Sequence, residues 1–321
     1  MESVLVTGGA GFIGSNIAEA LTGLGYRVVI VDDLSTGRME NILEIRERDS
    51  LKFIKGSILD GRLLRTTVRE ENISLICHQA AVPSVSKSIK DPMRTMEVNT
   101  TGTATVLQVA AECRCKRVVF ASSSSVYGDT PELPKQEDMS LNPKSPYAVS
   151  KVSKEMLAGV FSSLYDVETV GLRYFNVYGR KQDPASDYAA VIPKFIFKAL
   201  RNEDITIEGD GLQTRDFSYI DDVVAANISA LTSKNIPRKV FNIAYGERIS
   251  VMDLAGLIKE STGSASRIVY LPARPGDVRD SLADVGFARR HLSFAPQFNI
   301  RNGLAETIAW YRDHAEKRCA A

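Results

Sequence analysis

The chain is 321 residues long, 44% hydrophobic and 25% charged, the composition of a globular protein with one large or two modest domains. Forty Lys plus Arg against 39 Asp plus Glu leave a net charge of +1, which supplies no long-range field for nucleic acid or an anionic membrane. The N-terminus enters an apolar strand pattern at Val4 without a basic leader, and no apolar run reaches the length of a membrane span, so a cytoplasmic protein is expected.

In chain order, short β-rich runs alternate with helical patterns. "SVLVT" (3 to 7) precedes a helix from about Phe12; "RVVIV" (27 to 31) and "LKFI" (51 to 54) precede a helix from Asp60; "SLICH" (74 to 78) precedes a long helix from about Pro92 to Cys113. "RVVF" then leads to a helix from about Pro146 to Leu164 and to "ETVGLRY" (168 to 174). The strands are apolar throughout rather than at every second residue, which indicates a parallel sheet covered by helices on both faces. The expected fold is α/β, a Rossmann-type doubly wound parallel sheet. Beyond Tyr174 helices are expected near 189 to 201, 221 to 233, 250 to 261 and 302 to 315, with strands near 205 to 207, 239 to 243 and 267 to 271. These read as a smaller α/β substrate-binding lobe. The expected division is 1–174 plus about 213–245 for the cofactor domain, and 175–212 with 246–321 for the smaller lobe. Cys77, Cys113, Cys115 and Cys319 form no CxxC pair and read as free thiols; no metal site is expected.

"TGGAGFIG" (7 to 14) lies between the first strand and the first helix, with glycines at 8, 11 and 14. Such a loop lets the backbone approach a pyrophosphate at the positive end of a helix. The second strand ends in Asp32, where a carboxylate takes two ribose hydroxyls. Asp32 and Asp33 together repel a 2′-phosphate, so NAD rather than NADP is the expected cofactor.

"PYAVSK" places Lys151 four residues after Tyr147, on the same face of a helix one turn apart. A tyrosine with a pKa of about 10 needs roughly 4 kcal/mol of preference for phenolate to titrate near neutrality, and a neighbouring ammonium and a cationic nicotinamide are the expected source. "SSSSVYG" (122 to 128) follows "RVVFA" at the edge of a sheet that faces the cofactor crevice. A serine there polarises the group being oxidised and passes a proton to Tyr147.

With these motifs in order, the chain resembles the extended short-chain dehydrogenase/reductase family and, within it, the nucleotide-sugar 4-epimerases. The resemblance runs through "GGAGFIG", "VDDLSTG", "HQAA", "NTTGT", "SSSSVYG", "PYAVSK", "LRYFNVYG", "RDFSYIDDV" and "RPGD". It implies Ser123, Tyr147 and Lys151 as the catalytic set. It implies cofactor contacts along the glycine loop at Gly8, Gly11, Phe12 and Ile13, and after the second strand at Asp32, Asp33, Thr36 and Gly37. Further contacts are implied at Ser57 and Ile58, where serine replaces the family's frequent aspartate, and at Ala80, Ala81, Asn99, Ser122, Tyr147, Lys151 and Tyr174. On the sugar-nucleotide side it implies Ser84, Ser123, Ser124, Tyr147 and Asn176, then Val191, Lys194 and Thr206. Arg215 and Arg274 suit a diphosphate, with Asp277 and Ser281 beyond them. A homodimer formed by the helices starting near Pro92 and Pro146 is implied as well.

Relatives that dehydrate or decarboxylate sugar nucleotides usually carry an acid before "VYG"; here that segment holds only serine, which favours 4-epimerisation through a 4-keto sugar. The resemblance makes Ser281 the position beside the sugar's C2 substituent, where a small residue admits an N-acetyl group, and "GRKQDPASDYAAVIPKF" (179 to 195) is similar to the corresponding stretch of epimerases that prefer UDP-N-acetylglucosamine. UDP-glucose is expected to remain a substrate, because a roomy pocket rejects a smaller ligand poorly. UDP-glucuronate 4-epimerisation and a non-catalytic NAD-sensing role are the alternatives.

Overall fold

The computed structural model describes residues 2–184, 190–237, 240–273 and 278–319, with the side chains of 315–319 excepted. Its centre is a seven-stranded sheet built from β1 (Ser3–Thr7), β2 (Arg27–Asp32), β3 (Leu51–Lys55), β4 (Ile73–His78), β5 (Arg117–Ser123), β6 (Glu168–Tyr174) and β11 (Val240–Ile243). The order across the sheet is β11-β6-β5-β4-β1-β2-β3 and every pairing is parallel. All five residues of β1 are buried, as expected of a strand with helices on both faces. The first three strands wind outward from β1 in one direction and the later ones in the other. The crevice this reversal opens, between the C-terminal ends of β1 and β4, is where such sheets bind ligands.

The helices are α1 (Phe12–Gly23), the single turn α2 (Leu43–Arg46), α3 (Gly61–Glu70), α4 (Val85–Lys90), α5 (Pro92–Met96), α6 (Gly102–Glu112) and α7 (Pro146–Leu164). Asp60 caps α3 rather than opening it, accepting from Arg62 N and Leu63 N. The single long helix expected from Pro92 to Cys113 is interrupted: a wide π-type turn over Glu97–Thr101 separates α5 from α6. That turn directs Asn99 inward, where Nδ2 donates to Val82 O and Ser150 Oγ and Oδ1 accepts from Val82 N.

Beyond β6 come the two-residue strand β7 (Val177–Tyr178), α8 (Val191–Leu200), β8 (Ile205–Glu208), β9 (Thr214–Arg215), β10 (Ser218–Tyr219) and α9 (Ile220–Thr232). After β11 follow β12 (Ile249–Ser250), α10 (Val251–Thr262), β13 (Ile268–Leu271), α11 (Gly286–Leu292) and α12 (Ile300–Cys319). The chain therefore leaves the sheet after β6 and returns to it through α9, which packs on α1 and β5, and through β11. Outside the sheet, β7 pairs β10, β8 pairs β13 and β9 pairs β12. One apolar core runs from Val4 and Ile30 under the sheet through Tyr127 and Phe175 to Phe195, Ile207 and Leu254. A second fills the other face, around Leu5, Ile76, Val118 and Phe120. Among the described residues no helix is long and apolar enough to cross a membrane.

Candidate active site

A cleft of about 1340 Å³ opens at the C-terminal edge of the sheet. Its floor is the turn between β1 and α1. Gly8 has a φ of +70°, and a Cβ there would stand 2.6 Å from Ala80 N; a Cβ at Gly14 would stand 2.2 Å from Gly8 O. Only glycine allows these two backbone segments to meet. Helix α1 starts with no side-chain cap on Gly11 and no acidic residue in its first turn, so its leading amides and positive end are left for an anion. At the end of β2 the Asp32 carboxylate is held by Ala10 N at 2.9 Å and Leu34 N at 2.8 Å. Each oxygen keeps a lone pair for a ribose hydroxyl. Burial pushes Asp32 above the usual carboxylate range and the backbone bonds oppose that. This cradle fits NAD.

Of the residues expected at the cofactor, Gly8, Gly11, Phe12, Ile13, Asp32, Asp33, Thr36, Gly37, Ile58, Ala80, Ala81, Ser122, Tyr147, Lys151 and Tyr174 line the cleft. Ser57 and Asn99 are not on its wall. The Ser57 hydroxyl accepts from Leu59 N at 3.2 Å within its own turn, while Asn99 reaches the cleft through the Val82 backbone that it clasps.

The reactive side chains come from β5 and α7. Ser145 caps α7 by accepting from Ala148 N, and Pro146 takes the first helical position. Tyr147 and Lys151 therefore leave the same face of the first two turns. Lys151 is buried, its Nζ donates to Ala121 O at 3.0 Å and lies 5.4 Å from the Tyr147 ring centroid. The Ser123 hydroxyl lies close enough to the Tyr147 phenol to favour its ionisation. Sequence reasoning expected Lys151 to draw the phenol down. In the structure burial pushes Tyr147 up and the Ser123 hydroxyl opposes this, while burial pushes Lys151 down to about 8. The cause is burial of both groups; the Lys151 ammonium, held to the Ala121 carbonyl, sits over the ring. Beneath them His78 is fully buried, with Nδ1 on Thr7 Oγ1 at 2.7 Å and Nε2 on Thr103 Oγ1 at 3.0 Å. Since the Thr103 hydroxyl donates to Asn99 O, Nε2 carries the proton and Nδ1 accepts from Thr7. Burial keeps this ring neutral.

On the sugar side the placement is more dispersed. Ser84, Tyr147 and Asn176 line the cleft. Ser84 caps α4, and Asn176, at a φ of +31°, donates Nδ2 to Asp216 O. Ser124 opens the short turn after β5. Val191 and Lys194 sit half-buried in the first turns of α8, and Thr206 on β8 accepts from Lys198 Nζ. Arg215 on β9 donates to Thr214 O and Arg279 O. Ser281 is half-buried and its amide donates to Thr214 O at 3.1 Å. Arg274 and Asp277 lie outside the described residues. Next to Arg215, Asp216 is fully buried and its carboxylate accepts from Tyr245 N, Gly246 N and Ala283 N, which ties the loops at 245 and 283 to the end of β9.

Sequence reasoning missed several cleft residues, among them Leu34, Arg38, Gln79, Val82, Lys87, Gln182 and Asp183. Arg38 pairs with Asp183 across the cleft mouth, a contact between positions 145 apart that no local pattern announces. Glu155, which binds Ser122, was also missed. A signal did exist for it: it stands four residues past Lys151 and eight past Tyr147, on the same helical face.

The model of the NAD dependent epimerase/dehydratase family matches residues 4–244. A putative UDP-glucose 4-epimerase of Methanocaldococcus jannaschii is 36% identical over 312 residues, 97% of this chain and 99% of the relative. Among solved structures, the UDP-glucose 4-epimerase of Thermotoga maritima with UDP-glucose is 36% identical with a TM-score of 0.92, covering 98% of this chain and 99% of that one. The UDP-N-acetylglucosamine 4-epimerase of Methanobrevibacter ruminantium, in complex with UDP-N-acetylmuramic acid, is 38% identical with a TM-score of 0.93 over the same shares of the two chains.

Proposed function

This chain belongs to the NAD dependent epimerase/dehydratase family, and from that premise we propose that it inverts C4 of a UDP-hexose, with UDP-N-acetylglucosamine and UDP-N-acetylgalactosamine as its main pair and UDP-glucose and UDP-galactose turned over as well. Bound NAD supplies the two-electron acceptor that C4 requires and returns the electrons afterwards. The protein's own part is proton handling and positioning. Tyr147 takes the 4-hydroxyl proton as C4 becomes a ketone and returns it to the same oxygen when the ketone, turned over in the cleft, is reduced on its other face. Ser123, close to Tyr147, polarises the same oxygen. Lys151, fixed on Ala121 O, holds a positive charge beside the phenol. The segment from Ser122 to Ser125 offers hydroxyls and no second acid or base, which supports epimerisation over elimination.

The observation that carries the substrate reading is the small side chain of Ser281, on the segment tied to Thr214 next to Arg215. Turnover compared on UDP-glucose, UDP-N-acetylglucosamine and UDP-glucuronate tests it, with Ser281→Tyr as the companion variant. The variant is expected to lose the N-acetylated sugar and keep UDP-glucose. Loss of both activities, or of neither, defeats the assignment.

We also propose a homodimer. Support comes from an exposed apolar face where α4 and α5 pack on α7, with Met93 78%, Met156 68% and Leu164 69% exposed. Its spacing along α7 (Val149, Met156, Val160, Leu164) is helical, and a second copy of the same face is its natural complement. A monomeric mass by light scattering at micromolar concentration counts against it.

A further inference from the structure

Helix α7 grips strand β5 at three successive levels. The Tyr147 phenol comes close to the Ser123 hydroxyl, Lys151 Nζ donates to Ala121 O, and Glu155 Oε1 accepts from Ser122 Oγ at 2.5 Å. The three helical residues are four apart, so they stand one turn above another on a single face. The first two levels belong to the constellation described above. The third does not, yet it is firmly built. Arg173 on β6 clasps Glu155 through Nε to Oε1 at 2.9 Å and Nη2 to Oε2 at 2.8 Å, with the two side chains 4% and 8% exposed. Arg173 Nη1 in turn donates to Tyr127 Oη at 2.7 Å and Glu137 O at 3.0 Å. A buried ion pair adds little net stability, because desolvation offsets most of the attraction; a fully hydrogen-bonded one does fix geometry.

We infer that Glu155 is a positioning residue for the reaction: backed by Arg173, it anchors Ser122 and so sets the register that brings the Ser123 hydroxyl to the Tyr147 phenol. Ser122 directly precedes Ser123 and gives its only hydroxyl proton to Glu155, so its hydroxyl is committed to the anchor and the position of the neighbouring Ser123 depends on it. Glu155 also acts on Lys151, one turn away. Burial pushes Lys151 down and the Glu155 carboxylate opposes that. The titratable and charged groups around Lys151 are Tyr147, Lys154 and Glu155 on α7, His78 on β4, and Arg173 and Tyr174 on β6. Among these described residues Glu155 is the one carboxylate. Lys154 is fully buried without a hydrogen-bond partner and is held well below its ordinary value, His78 is neutral, and the Arg173 charge faces Glu155 itself. Removing the carboxylate therefore leaves Lys151 to lose its proton at lower pH.

The kinetic arm of the test rests on the epimerase reading; a second arm does not. In NAD-loaded Glu155→Gln, kcat is expected to fall about tenfold with KM within about twofold, since a misplacement of reacting groups costs rate rather than affinity. The alkaline limb of its kcat profile is expected to move to lower pH. Independently of turnover, a carbon-13 NMR titration of ε-labelled lysine, with Lys151 assigned from Lys151→Arg, is expected to give a lower midpoint for Lys151 in the variant than in the parent. A folded Glu155→Gln enzyme with parental kcat, pH limb and lysine midpoint overturns the inference, and so does a raised KM at unchanged kcat. If Glu155→Gln does not fold, Ser122→Ala decides, because it cuts the third level and leaves the Glu155–Arg173 pair whole: a lowered kcat with parental NAD content supports the role, and parental kcat overturns it. A parent that turns over no UDP-hexose sinks the functional reading while leaving the lysine midpoint to judge Glu155.

Discussion

The cofactor half and the sugar half of the cleft are built in different ways. On the cofactor side the contacts are local and main-chain driven: a glycine turn, an uncapped helix start and an aspartate clamped by Ala10 N and Leu34 N. On the sugar side Arg215 hangs on a two-residue strand, and the loops at 245–246 and 283 converge on the buried carboxylate of the adjoining Asp216, whose main-chain carbonyl accepts from Asn176. The first half is specified by where the backbone can go. The second is specified by one side chain that gathers distant loops. Cofactor choice is therefore hard to alter without losing the fold of the turn, whereas sugar choice rests on elements that can be re-set.

The proposed chemistry lies at the seam between the halves, and Tyr147→Phe tests it with the largest expected effect. Loss of the general base is expected to lower kcat by roughly 10² to 10⁴, while the purified variant keeps its NAD, because the glycine turn, the start of α1 and Asp32 supply most of the cradle. An epimerisation rate within about tenfold of the parent, a barrier change of only about 1.4 kcal/mol, removes Tyr147 from the base role. Loss of NAD together with activity breaks the separation of the halves instead.

Gly14→Ala is expected to act on the cofactor side alone. A Cβ 2.2 Å from Gly8 O must push two backbone segments apart, and the displaced helix start is expected to weaken NAD binding by about two orders of magnitude, the equivalent of roughly 2.7 kcal/mol. Bound NAD measured after gel filtration checks it. If the variant retains the parent's NAD content, the close approach in the turn is not what holds the pyrophosphate.

The same contrast decides what the sequence makes legible. Helix α7 has the expected bounds because its start is written locally, with Ser145 to cap and Pro146 at the first position. The glycine turn, Asp32 and the strand edge at Ser122 are legible for the same reason: each depends on residues within a few positions of itself. The wide turn at Glu97–Thr101 was not, since the pattern there is helical throughout and the inward pull on Asn99 comes from Val82, 17 residues earlier. Nor was the orientation of Lys151, which depends on a carbonyl 30 positions away. Asp216 is the plainest case: its partners lie 29, 30 and 67 residues downstream, and nothing in "RDFSYIDDV" distinguishes a hub from an ordinary aspartate.

That hub also gives the smallest and most selective expected effect. Both Asp216 oxygens accept amide protons, Oδ1 from Tyr245 N and Gly246 N and Oδ2 from Gly246 N and Ala283 N. Asp216→Asn keeps the shape but turns one acceptor into a donor that faces an N–H, so at least one amide loses its partner. Leaving a buried amide unsatisfied costs about 1 to 3 kcal/mol. The strain falls on the loops around 245 and 283, near Arg215 and Ser281, and not on the glycine turn. KM for the UDP-sugar is accordingly expected to rise roughly tenfold, about 1.4 kcal/mol, with NAD content unchanged and kcat reduced by less than KM rises. An equal loss of bound NAD would mean that the two halves do not respond separately, and that Asp216 supports the whole cleft rather than its sugar side.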